Sequence, residues 1–151
     1  MMNIAFMNSK QMKRIYSLLD SQFGFSEKID YVFVRTNKGK LYIVNRDVER
    51  IDLDKIRINS MGMYFGEMTN SEELRLSIDA SQMLGPKCTK NILELDSEQI
   101  KLWMGGQDFE LENDSNSFVL VKYKNDFVGC GKIKNKKLLN YVGKVRRIRM
   151  S

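Results

Sequence analysis

FVLVKYKNDFVGCGKI, residues 118–133, decides the fold of this chain. An apolar run of four residues, Phe118–Val121, continues through Lys122 and Tyr123 before it is broken by Lys124-Asn125-Asp126, and a second run then begins at Phe127. This is the pattern of a buried strand, a polar turn and a returning strand. In the second strand, strict alternation puts Phe127, Gly129, Gly131 and Ile133 on one face and Lys132 and Lys134 on the other. Gly129 and Gly131 carry no side chain and read as structural positions, where a barrel corner bends or another backbone comes close.

Working outward, short elements continue on both sides. After this hairpin, 138–142 reads as a strand and 146–150 as a further one. Before it, Asp96 with Gln99 forms a capping box for a helix through Trp103, which Gly105-Gly106 ends. Residues 91–95 read as a strand. Residues 79–84 read as a short helix, closed by Gly85-Pro86, and 74–78 as a strand. Short strands at this spacing indicate a small barrel or a strongly bent sheet rather than a parallel α/β core. Further back, 61–68 (MGMYFGEM) reads as a strand and 69–73 as a linker, with a short helix expected over the charged stretch 46–55. Strands at 29–35 and 41–45 flank Asn37-Lys38-Gly39, a hairpin turn in which Gly39 takes positive φ. The first helix opens on a second capping box, Asn8 with Gln11. It carries Met12, Ile15, Leu19 and Phe23 at helical spacing and stops at Gly24.

The 151 residues fit one domain or two small ones. With 42% hydrophobic and 29% charged residues, the chain reads as soluble and folded. There is no histidine, which removes Ser-His-Asp triads, Cys-His pairs and His-ligated metals. Cys88 and Cys130 form no CxxC pair and read as free thiols in a reducing cytoplasm. No metal and no cofactor is expected. No apolar run is long enough to span a membrane, and the first residues lack the charged n-region of a signal peptide, so the expected location is cytoplasmic.

The net charge of +6 is unevenly placed. Residues 1–121 hold 15 basic and 18 acidic groups, whereas 122–151 hold ten basic groups against Asp126 alone. The basic segment is interleaved with Tyr123, Phe127, Val128, Ile133, Leu138, Leu139 and Tyr141, which a disordered arm would not carry. It reads as a folded surface presenting cations.

The second half resembles a PUA domain, on the strength of LRLSIDASQMLGP (74–86), KNILELD (90–96), the hairpin quoted above and NYVGKVRRI (140–148). The whole chain resembles a pre-PUA α/β domain followed by PUA. That arrangement is found in large-subunit ribosome-biogenesis factors of archaea and eukaryotes, and similar segments are appended to Sun-type RNA cytosine-5 methyltransferases. The implied fold class is α+β, with a pre-PUA domain over 1–73 and a PUA pseudo-barrel of short mixed strands over 74–151. The resemblance implies RNA binding along a face built from the first PUA helix, the glycine-bearing loop after it and the final strands. Those places hold Gly85, Lys87, Lys90, Lys132, Lys134, Lys144, Arg146, Arg147 and Arg149. The three arginines suit phosphate and base stacking, being planar and bidentate. Lys134, Lys136 and Lys137 form the densest cluster, at a hairpin tip.

The implied role is a non-enzymatic accessory protein in rRNA processing, ribosome assembly or RNA modification. Its RNA would be ribosomal or tRNA-like. The near-neutral residues 1–73, with Met7, Met12, Met61, Met63 and Met68, would meet an assembly factor or a modifying enzyme. An alternative is an RNA-targeting subunit serving a separate cytosine-5 methyltransferase. Intrinsic catalysis has little to rest on. No GxGxG opens a nucleotide-binding sheet, and Gly129-Cys130-Gly131-Lys132 lacks both the upstream glycine and the following Ser/Thr of a phosphate loop. Cys130 has no base beside it and reads as core.

Overall fold

The computed structural model describes residues 4–47 and 62–141. The helix expected over 46–55 and the strand over 146–150 fall wholly or largely outside them.

The first sheet is an antiparallel meander of β1 (Ile4–Phe6), β2 (Val32–Thr36), β3 (Lys40–Val44), β4 (Gly62–Met68) and β5 (Leu74–Leu76), paired in chain order. Between β1 and β2 the chain forms α1 (Ser9–Phe23). The expected capping box is present: Gln11 N–H donates to Asn8 Oδ1 at 2.8 Å, and Asn8 N–H to Gln11 Oε1 at 2.9 Å. Gly24 ends the helix in the left-handed region, φ 66°, with its N–H on Asp20 O. Ile15, Leu18, Leu19 and Phe23 turn inward onto Phe33, Leu41, Ile43 and Phe65. The opposite face of the sheet buries Val34 and Val44, with Ile4, Phe6, Val32 and Tyr42 packed against them.

The second sheet contains β6 (Ile92–Glu94), β7 (Phe109–Glu110), β8 (Phe118–Tyr123), β9 (Asp126–Lys134) and β10 (Lys137–Leu139), in the order β6-β8-β9-β10-β7. β6 runs parallel to β8 and the other pairs are antiparallel. Two helices accompany it. α2 (Ile78–Leu84) is capped by Ser77, and α3 (Ser97–Met104) opens on the expected Asp96/Gln99 box. The fold is therefore α+β, with three α-helices and two five-stranded sheets among the described residues. No described helix is long and apolar enough to cross a membrane.

Residues 69–73 form the tight turn joining β4 to β5 rather than a linker. Thr69 N–H donates to Glu73 O at 2.8 Å, Glu73 N–H to Thr69 Oγ1 at 3.1 Å, and Glu72 takes φ 60°. Short polar residues favour such a turn because their side chains bond the neighbouring backbone. β5 thus completes the first sheet. One hydrophobic core runs from α1 and β2–β5 through Ala80, Leu84 and Cys88 to Phe118, Leu120, Phe127 and Cys130 of the second sheet.

Alternation along β9 departs from expectation at one residue. Lys122 pairs with Phe127 and Val121 with Gly129, leaving Val128 as an extra residue in a β-bulge, with Gly129 at φ 139°. The bulge shifts the phase, so Phe127 and Cys130 both enter the shared core. Val128 and Ile133 join the smaller second core around Trp103. Gly129 and Gly131 form the seat for that tryptophan. A Cβ on either would lie 3.0 and 3.1 Å from its ring carbons, and the indole N–H donates to Val128 O at 3.0 Å.

Gly85 does not cap α2 in the left-handed region. It keeps helical angles, φ −48°, and the chain runs on into a single 3₁₀ turn, Gly85–Lys87. Space is what demands glycine here, since an added Cβ would meet the Phe127 ring at 2.4 Å. We expect Gly85→Ala to lower stability by about 1–3 kcal/mol through overpacking, read from urea unfolding.

Between the sheets, Lys132 Nζ lies 2.7 Å from Glu73 Oε1 and 4.8 Å from the centroid of the Phe118 ring. Burial acts to raise the Glu73 pKa, but hydrogen bonds from Lys132 and Ser71 outweigh it and hold the carboxyl below its ordinary 4.5. A depressed folded-state pKa gives stability that is complete above the unfolded-state value and is lost as pH falls through the folded-state value. Wild-type stability should therefore decline as pH falls below about 4.5, whereas Glu73→Gln removes this contribution to the slope. A double-mutant cycle of Glu73→Gln with Lys132→Ala should give a coupling of roughly 1 kcal/mol or less, because both groups keep some solvent contact.

Candidate nucleic-acid interface

The described lysines of the expected RNA face fall into separate places. At one end of β9, Phe127 organises a group. Its ring covers Gly85, the first residue of the turn that carries Lys87, and Lys122 Nζ reaches to 5.4 Å from the same ring. Lys124 follows in the β8–β9 turn at φ 54°, its Nζ 5.4 Å from the Tyr123 ring centroid. Sequence reasoning did not assign Lys122 and Lys124 to the face. The signal was the placement of both lysines around an aromatic residue, in KYK at the end of the quoted strand.

Lys87 is paired with Glu27 of the α1–β2 connection at 3.0 Å. Both side chains are more than half exposed, so the pair is weak and readily exchanged for another anion. Lys90 is exposed and sits on the C-terminal end of α1, where its N–H and that of Thr89 both donate to Phe23 O.

The opposite end of β9 carries the second group, roughly 20 Å from Phe127 at the rise of an extended strand. Lys134 and Lys137 flank Asn135 and Lys136, which take φ 52° and 57°. Two successive positive φ values match the right-handed twist of a tight hairpin. All three lysines of this tip are exposed. Lys132 lies between the groups and is engaged with Glu73 and Phe118, so its charge is already partnered within the fold. Lys144, Arg146, Arg147 and Arg149 lie outside the described residues.

Both thiols are inside. Burial pushes Cys88 up to about 11 and Cys130 up to about 12, so each is protonated at neutral pH and neither is an activated nucleophile. Among the described residues no His, Cys, Asp or Glu cluster has the geometry of a metal site.

Of the positions that the sequence links to RNA, Gly85 and Lys87 lie in the turn after α2, Lys90 on the end of α1, Lys132 within β9 and Lys134 at the β9–β10 tip. Comparison with curated proteins gives no match. Comparison with family models matches residues 90–148 to the one described as Methyltransferase RsmF PUA domain. The match covers β6 through β10, including the bulged hairpin and the seat of Trp103. Over residues 90–148 this chain is thus similar to a PUA domain, of the kind related to the PUA segments of Sun-type RNA methyltransferases.

Proposed function

We propose that this chain binds RNA through its PUA domain and acts without catalysis, as an accessory protein in rRNA processing, ribosome assembly or RNA modification. The observation that carries the reading is the overlap of the PUA match with the basic segment. Residues 90–148 contain Lys122, Lys124, Lys132, Lys134, Lys136, Lys137, Lys144, Arg146 and Arg147. Exposed lysines stand at both ends of β9, and at the β8–β9 turn Lys124 lies 5.4 Å from the half-buried Tyr123 ring, so cations that track a phosphate backbone sit beside an aromatic ring there. The non-catalytic reading is supported by the protonated, buried thiols and by a sequence without histidine. In this reading residues 1–73 are a pre-PUA unit that meets a cytoplasmic protein partner, an assembly factor or a modifying enzyme. The PUA unit holds a ribosomal or tRNA-like RNA.

Binding of a labelled structured RNA and a U-rich single strand, measured across a salt series, tests this. The affinity should fall with salt at a slope near −0.7 per phosphate neutralised on the single strand. Arg146→Ala/Arg147→Ala/Arg149→Ala should weaken binding and flatten the slope, and Lys122→Ala/Lys124→Ala should do so independently. Wild type that binds neither RNA above a nonspecific level would sink the reading.

A second reading is favoured by the matched family itself, which is the PUA domain of a methyltransferase. Here the chain is an RNA-targeting subunit for a separate cytosine-5 methyltransferase. Methyl transfer by such an enzyme, measured with and without this protein, should then be stimulated several-fold. An unchanged rate returns the chain to the first reading.

A further inference from the structure

The junction of the two sheets holds a cavity of about 210 Å³, and none of the cations discussed above lines it. Its floor is Trp103, locked by the bond from its indole N–H to Val128 O. Gly129, at the β-bulge, forms part of the wall and projects no side chain into the space. Tyr64 of β4 lines it from the first sheet. Burial raises the pKa of that tyrosine against the lowering effect of its hydrogen bond with Arg75, so the phenol is neutral and able to donate. At the mouth, Tyr141 is 40% exposed, with the Phe118 ring tilted against it at 6.3 Å between centroids. The Arg75 guanidinium lies 4.4 Å from the Tyr141 ring centroid and is held in place by Glu67 at 2.8 Å.

We propose that this cavity receives one unpaired nucleobase of the bound RNA, stacked on Tyr141. The inference rests on the RNA-binding reading and deepens it by naming a base subsite. The walls suit a flat ligand with an apolar face and a polar edge. Tyr141 and the fixed guanidinium offer planar surfaces, and Tyr64 places a phenol hydroxyl on the lining. The volume is below the roughly 300 Å³ of sites for drug-sized molecules, which fits a single ring system rather than a base pair. The position fits as well. In sequence, Tyr141 stands three residues before Lys144 and five before Arg146, so the mouth is where the chain enters its most basic stretch.

The test uses the full chain and two labelled strands of equal length, octauridylate and an abasic ribose-phosphate octamer. Anisotropy reads affinity, and the emission of Trp103, the single tryptophan, reads the cavity. Octauridylate should bind at least fivefold tighter than the abasic strand, consistent with base–aromatic stacking of roughly 1–3 kcal/mol. Only octauridylate should alter Trp103 emission. Tyr141→Ala should reduce the gap between the strands to less than twofold while leaving abasic binding unchanged. Equal affinity of the two strands for wild type, or a gap that survives Tyr141→Ala, overturns the subsite while leaving RNA binding in place. Flat Trp103 emission on octauridylate binding also overturns it, because the base would then lie on the outer face of Tyr141. If neither strand binds, the subsite falls together with the RNA-binding reading.

Discussion

The last turn of α1 joins the two sheets, and the rest of the architecture depends on that junction. Phe23 O accepts the N–H groups of Thr89 and Lys90 at 2.9 and 3.1 Å. The Gln22 side chain binds Leu74 from both sides, its amide donating to Leu74 O at 2.9 Å and its oxygen accepting from Leu74 N–H at 2.8 Å. Gln22 therefore acts as one residue of a missing strand, satisfying backbone groups at the edge of β5 that would otherwise be buried unpaired. Gly24 makes the approach possible. Its φ of 66° turns the chain, and a Cβ there would lie 2.0 Å from Thr89 Oγ1.

Around this junction the shared core closes. Phe23, Phe33, Phe65, Leu74, Leu120 and Phe127 are each 6% exposed or less. Apolar burial is the main favourable term in folding, and here a single cluster draws it from both sheets. The Lys132–Glu73 pair adds a polar tie across the same boundary, at the edge where water still reaches. Lys132 consequently serves the fold before it serves any ligand, while Lys122, Lys124 and Lys134 remain on hairpin ends.

Much of this was legible in the order of residues. Both capping boxes, the Gly24 stop and the strand–turn–strand of 118–133 follow from local chemistry, because their partners lie within four residues or one turn of helix. What the sequence did not disclose depends on distant partners. The phase change at Val128 needs the register against β8, and a period-two reading carries Phe127 to the wrong face. The turn at 69–73 looks like a linker until β5 is seen to pair with β4. The partnering of Lys132 with a residue 59 positions away has no signature along the chain. The mixed lining of the cavity comes from β4, β5, α2, α3 and β9 together, which no local pattern announces.

The segment that matches the PUA family begins at Lys90, at the residue whose backbone N–H is bound by α1. In this protein the matched module does not bring all of its own cover: Phe118, Leu120 and Phe127 share their core with α1 and with Ala80 and Leu84 of α2, and both helices precede the matched segment. A gene fusion that transplanted only the matched segment would deliver a sheet with one apolar face uncovered. To serve as a working cassette, the matched segment would have to travel with α1 and α2 or acquire a substitute for the faces they cover.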